Sequence, residues 1–193
     1  VTSTVGILGY QGCIEPHEEL LSKIDVPHVR VLSPEDLSRV DRLILPGGES
    51  TTMLKFIKAH GMMSPLREFA KSHPMWGICA GSILLANEVS NPDQDSLKVI
   101  DIAAHRNFYG PQTESFTTPI EVDFLRAPIE VHFIRAPLLA PTSTKTGTKS
   151  LKVHATFRGE PVFFSQGHIW ACSFHAELGQ DTSLHEAFLK LSV

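Results

Sequence analysis

A cysteine bracketed by glycines, Gly77-Ile78-Cys79-Ala80-Gly81, is the segment of this chain best suited to covalent chemistry. It follows Pro74-Met75-Trp76 and runs into Ser82-Ile83-Leu84-Leu85-Ala86, which reads as the start of a helix. Strand, sharp turn and helix in that order form a nucleophile elbow, with a thiol in place of the usual hydroxyl. The turn holds the nucleophile in a strained conformation, and the glycines let neighbouring backbone pass without a Cβ clash. A helix beginning behind the sulfur favours thiolate over thiol. The competing reading is a buried cysteine that only packs.

Further clusters carry chemistry. Leu45-Pro46-Gly47-Gly48-Glu49-Ser50-Thr51-Thr52 places two glycines between a strand and a helix. Consecutive backbone N–H groups there suit an anion or an oxyanion, although a phosphate loop or a plain turn fits the same residues. A Walker A loop is excluded, because no Gly-Lys-Ser/Thr follows. In Phe174-His175-Ala176-Glu177 the i and i+2 side chains share one side of an extended chain, so Glu177 can orient His175. A cysteine nucleophile needs such a carboxylate-held base, and a surface pair is the bland alternative. Arg106 in Arg106-Asn107-Phe108-Tyr109-Gly110, and Arg135, offer guanidinium groups for a substrate carboxylate or for ordinary ion pairs. His168 is a rival base, but its nearest acidic neighbour in sequence is Glu160, so a structural role is expected. Cys13 and Cys172 read as small core residues. His105 reads as shaping the loop before Arg106, and the remaining histidines show no metal-ligand spacing.

The elements that must position these groups alternate. Strands are expected at Thr4–Gly9, His28–Leu32, Arg42–Leu45 and Met75–Ile78. Helices are expected at Glu15–Ile24, from Ser33-Pro34-Glu35-Asp36, at Ser50–His60 and at Ser64–Lys71. Strands separated by helices imply parallel pairing in an α/β layered fold, with function at the carboxyl ends of the strands. Gln11-Gly12, Gly47-Gly48 and Cys79 all fall there. From Leu97 to Phe174 the chain is strand-rich, with runs at Val99–Ile102, Ile120–Leu125, Ile129–Ile134, Leu151–Phe157, Val162–Ser165 and Ile169–Phe174. These suit antiparallel additions to the core. Asn91–Asp95 and Pro141–Lys149 read as loops, and Leu184–Leu191 as a closing helix. Ile120–Pro128 is repeated directly as Ile129–Pro137, differing only at Asp123/His132 and Leu125/Ile134. An odd period reverses faces along one unbroken strand, so a turn is expected at Ala127-Pro128.

Composition narrows the class. A chain of 193 residues is expected to form one domain, spanning 1–193. The net charge of −4 offers no basic face, so nucleic acid is not an expected partner. Three cysteines without C-x-x-C spacing argue against a disulfide framework or zinc site and suit a reducing cytoplasm. No apolar run approaches the roughly 18 residues of a membrane span. Val1-Thr2-Ser3-Thr4 lacks the basic start of a signal peptide, and a first residue other than Met leads us to expect a processed or trimmed terminus.

Together these residues resemble the class I glutamine amidotransferases, and among them the glutaminase subunits of pyridoxal 5′-phosphate synthase (the PdxT/SNO family). The resemblance rests on Gln11-Gly12, Pro46–Thr52, Trp76–Gly81, Arg106–Gly110, Phe133-Ile134-Arg135-Ala136-Pro137 and Phe174–Leu178, in the family's order and over nearly the whole chain. It implies a flavodoxin-like three-layer α/β sandwich with a mostly parallel central sheet and extra antiparallel strands in the second half. It implies a Cys79–His175–Glu177 triad that hydrolyses L-glutamine, with an oxyanion held by backbone near Gly48 and Ala80. Gly48, Glu49, Ser50, Arg106, Ile134 and Arg135 would bind the substrate. Arg135 is preferred over Arg126 of the first repeat copy. The implied partner is a synthase barrel subunit (PdxS/SNZ type) that takes the ammonia, with Gln11 in the contact. No cofactor or metal is expected. The chain departs from the family's usual pattern at Gly9-Tyr10, Ile78, Pro111 and Ala176. Ile78 and Pro111 are expected to alter partner docking or loop shape. Another amidotransferase subunit, such as that of imidazole glycerol phosphate synthase, or a non-catalytic scaffold, are the alternatives.

Overall fold

A computed structural model describes residues 3–106, 115–145 and 149–193. Asn107, Phe108, Tyr109, Gly110 and Pro111 lie outside the described residues, as does part of the expected loop before Lys149. The first half alternates as the sequence implies: β1 (Val5–Leu8), α1 (Ile14–Lys23), β2 (His28–Val31), α2 (Pro34–Leu37), β3 (Arg42–Leu45), α3 (Ser50–Ala59), α4 (Met63–Ser72), β4 (Met75–Ile78) and α5 (Ala80–Leu85). The second half is strand-rich: β5 (Ala86–Ser90), β6 (Ile100–His105), β7 (Phe116–Ile120), β8 (Ile129–Phe133), β9 (Leu138–Pro141), β10 (Leu151–Phe157), β11 (Glu160–Gln166) and β12 (Ile169–Cys172), followed by α6 (Ser183–Leu189).

Among the described residues the main sheet runs β10-β11-β12-β4-β3-β1-β2. From β12 to β2 every neighbour is parallel, while β10 and β11 add on antiparallel. The period-2 alternation of each strand sends side chains to two separate cores. Leu8, Leu43, Leu45, Met75, Ile169 and Ala171 face one, packed against α3, α4 and α5. Val5, Ile7, Ile44, Trp76, Ile78, Trp170 and Cys172 face the other, packed against α1 and α6. Helices on both faces make the three layers. A smaller sheet, β5-β6-β9, extends the first face, and the β7-β8 hairpin covers the second.

Several short strands are absent from the sequence-based expectation. Residues of β5 read as the end of a helix, yet they pair in parallel with β6. Tertiary pairing overrides local preference there. β7 and β9 are short, and each contains a proline that weakens the strand pattern. The expected strand at Ile120–Leu125 does not form. Only Ile120 of the first repeat copy is in a strand, and the rest loops from β7 to β8. The second copy takes the ladder position opposite β7. The bend covers Leu125–Ala127, close to the expected turn. This loop is nonetheless held. Val122 is buried, and Phe124 stacks on Trp170 with centroids 5.3 Å apart. The His154 imidazole bridges Asp123 Oδ1 at 2.7 Å and Ser165 Oγ at 2.6 Å.

Candidate active site

Neighbouring strands β12, β4, β3 and β1 deliver their carboxyl ends to one place. His175 follows β12, Cys79 follows β4, Gly47-Gly48 follows β3, and Gln11 to Cys13 follow β1. Strand order reverses at β1, with β2 on one side and β3 on the other, which opens a crevice at these ends.

Cys79 sits in the turn with φ 50° and ψ −103°, a region that non-glycine residues rarely occupy. The turn is pinned from several sides. Cys79 N–H donates to Cys172 O at 2.8 Å, and Ser82 Oγ contacts both Gly77 O and Cys172 O. A Cβ on Gly81 would lie 1.9 Å from Leu45 O, and one on Gly77 would lie 2.7 Å from Gly81 C. Glycine is therefore required on both sides of the cysteine, as the elbow motif implies. The Cys79 thiol points to Ile134 O at 3.9 Å and lines the same cavity as the His175 imidazole.

His175 is fixed from three directions. Its backbone exchanges hydrogen bonds with His132 of β8, N–H to O at 2.7 Å and O from N–H at 3.0 Å. Its Nδ1 meets Glu177 Oε1 at 2.6 Å. Its ring also lies against Gly47, where a Cβ would come within 2.2 Å of Cε1. Both side chains are buried. Burial alone would lower the His175 pKa, but hydrogen bonds with Cys13, Cys79 and Glu177, and the Glu177 charge, raise it well above the usual value. Burial pushes Glu177 up, yet the bond to His175, with the neighbouring His17 and His175 rings, brings it below the usual carboxylate value. The Glu177 carboxylate is thus placed to stabilise the imidazolium that forms when His175 accepts a proton.

A cavity of about 290 Å³ opens in front of Cys79. Gln11, Gly48, Glu49, Ser50, Ala80, Arg106, Ile134, Arg135 and His175 line it, so these expected site residues converge, with Glu177 behind His175. Arg126 does not join them. It lines a larger cavity of about 620 Å³ under the loop between β7 and β8, which holds none of the triad. The reacting groups, not the size, mark the smaller cavity as the candidate site. Glu49 caps α3 through Thr51 N–H at 3.2 Å and Thr52 N–H at 2.8 Å. It also meets Arg106 at 3.4 Å. Gln11 Oε1 accepts from Glu49 N–H at 2.8 Å, so within the chain it holds the glycine loop.

Some expectations need correction. Cys13 is not a core residue; it is half-exposed at the start of α1 and lies beside His175 and Glu177. Its place just past Gln11-Gly12, at a strand end, was the available signal. Ile78 is fully buried in β4, within the core that also takes in Ala136 and Ala176. Cys172 is buried as expected, and burial raises its thiol pKa strongly. His168 is structural as expected, with Nε2 donating to Ala70 O at 2.7 Å. A pair that the sequence did not suggest lies behind the triad. His17 Nδ1 and His185 Nε2 are 2.9 Å apart, both rings fully buried. Among the described residues no helix is long and apolar enough to cross a membrane.

The SNO glutamine amidotransferase family matches residues 7–193. The chain belongs to that family. Over 188 residues it is 44% identical to the pyridoxal 5′-phosphate synthase subunit PdxT of Dictyoglomus turgidum, covering 96% of this chain and 97% of that protein. The PdxT subunit of Thermotoga maritima is 42% identical, covering 97% of this chain and 98% of its own. A crystal structure of a glutamine amidotransferase superposes with a TM-score of 0.87 at 36% identity, covering 96% of this chain and 97% of that one. A chain of PurLQS from Thermotoga maritima, with a TM-score of 0.69 at 13% identity over 98% of each chain, shares the fold alone.

Proposed function

We propose that this protein is the glutaminase subunit of a pyridoxal 5′-phosphate synthase, hydrolysing L-glutamine to L-glutamate and ammonia. The observation that carries the reading is the strained Cys79 facing an imidazole that Glu177 holds at 2.6 Å. The glutamine amidotransferase family match supports the substrate, and the names and near full-length coverage of the PdxT relatives support the pathway.

In this reading Cys79 Sγ attacks the side-chain amide carbon of glutamine, and His175 takes up the thiol proton. Backbone N–H groups at Gly48 and Ala80 hold the oxyanion, where preorganised donors stabilise developing charge. His175 then protonates the departing ammonia, which leaves a γ-glutamyl thioester on Cys79. Water, deprotonated by His175, cleaves that thioester and releases glutamate. Glu177 keeps the ring oriented and stabilises its charged form. Arg106 and Glu49 set one positive and one negative charge at the mouth of the cavity. That pair complements the carboxylate and ammonium of an amino acid. Arg135 and Ile134 close the opposite wall. The ammonia passes to a barrel-shaped synthase subunit, with Gln11 near the contact. Free thiols at Cys13, Cys79 and Cys172 suit a reducing cytoplasm.

The test is glutamate release from glutamine with and without a synthase barrel subunit, for the native chain and Cys79→Ala. Release that the synthase stimulates and Cys79→Ala abolishes is expected. Release indifferent to the synthase would refute the assigned partner, and no release from the folded native chain would refute the glutaminase itself.

A further inference from the structure

The mechanism above uses His175, Glu177 and Cys79, and leaves Cys13 without a task. Yet one donor atom each from Cys13, His175 and Glu177 lie within 4.8 Å of one another. We propose that Cys13, His175 and Glu177 form a binding site for a thiophilic divalent cation, zinc or cadmium, and that occupying it stops turnover. The inhibitory half rests on the glutaminase reading; the binding half does not.

The donor set is one sulfur, one ring nitrogen and one carboxylate oxygen, which are the ligand types zinc prefers. Bonds of about 2.0–2.3 Å in a tetrahedron would bring donors to roughly 3.5 Å apart, a contraction that falls first on Cys13, the partly exposed member. Glu177 Oε2 is buried without a hydrogen-bond partner, so a lone pair is already desolvated beside the cluster. Cys13 is half-exposed and lines the mouth of the cavity, which gives an ion a way in. Cys79 lines the same cavity as Cys13 and His175, so its thiol stands close to the proposed ion. Cys172, the other thiol nearby, is fully buried in a core and competes poorly for an ion. Binding releases the Cys13 thiol proton, and any proton on the coordinating His175 nitrogen, to solvent, and needs no oxidant. It removes the base and its carboxylate from the reaction together, and a chelator reverses it.

The experiment titrates the chelator-treated full chain with cadmium, following thiolate-to-metal absorbance, and with zinc by calorimetry. The native chain and Cys79→Ala are expected to bind one ion each. Cys13→Ala and Cys13→Ser are expected to bind at least tenfold more weakly. Zinc inhibition, read against each variant's own metal-free rate, should weaken by the same factor in both Cys13 variants. Equal affinity in native and Cys13 variants overturns the site, as does binding that disappears in Cys79→Ala or is absent from the native chain. A chain that binds cadmium through Cys13 but never hydrolyses glutamine would keep the site and sink the glutaminase reading instead.

Discussion

Glu177 governs what its neighbour can do. Its charge and hydrogen bond oppose the burial that would otherwise keep His175 neutral. Replacing Glu177 with Gln removes the charge but leaves the shape. The support from the charge is lost, the His175 pKa falls, and the acid limb of the pH–rate profile is expected to move to lower pH. The rate itself should drop by about 10²–10⁴-fold, the usual worth of a positioned acid–base group. An unmoved acid limb would remove Glu177 from this role. The triad residues were legible in the sequence because each is a reactive type in a local frame: glycines around Cys79, and an i, i+2 pair at His175 and Glu177. Cys13 was less so: its place just past Gln11-Gly12 marks a strand end, but no local pattern pairs it with His175 and Glu177. The His17–His185 pair was not, since its partners are 168 positions apart and meet only through the packing of α1 against α6.

At the scale of elements, the elbow depends on two close passages of backbone. A methyl group at Gly81 would meet the carbonyl at the end of β3, which cannot move without breaking the sheet. Gly81→Ala is expected to cost about 1–3 kcal/mol or more, read as a lower urea midpoint. Gly61→Ala is the control, because nothing lies within 4 Å of its Cβ position and only its φ of 65° resists the change. Equal losses in the two variants would contradict the close-passage argument. The parallel core was legible because its strands are short apolar runs separated by helices, some of them marked by caps. α2 shows this, with Pro34 in its first turn and a Ser33–Asp36 capping box. The repeat was not legible in the same way. Both copies carry the same apolar alternation, so the pattern cannot say which one pairs with β7. Asp123→Ala should free the loop from His154 at a cost of about 1 kcal/mol, and raise its amide exchange ahead of β8.

For the molecule as a whole, the buried histidine pair writes a pH dependence into stability. Burial holds the His17 pKa down to about 4, against about 6.5 in an unfolded chain. His185 is lowered in the same direction for the same reason. Both groups are neutral in the fold and charge more readily when unfolded. Their contribution is therefore complete above pH 6.5 and is lost as pH falls toward about 4. For His17 alone this is of order 3 kcal/mol. Urea midpoints measured from pH 7 to 4 should fall steadily, and His17→Gln should flatten that slope; an unchanged slope would rule out His17 as its source. The duplicated tract carries a different consequence, for the route to the fold. β8 must be threaded beside His175, and two almost identical stretches compete for that one slot. A chain that seats the first copy there would set Asp123 against the triad histidine in place of His132. It would also leave β7 without its connecting loop. An acidic side chain is a poor occupant of that buried interface, so the mis-threaded form is discouraged mainly at one position. Asp123→His erases the distinction. Its refolding from urea should show a larger slow fraction than the native chain, as molecules seated on the wrong copy back out and try again.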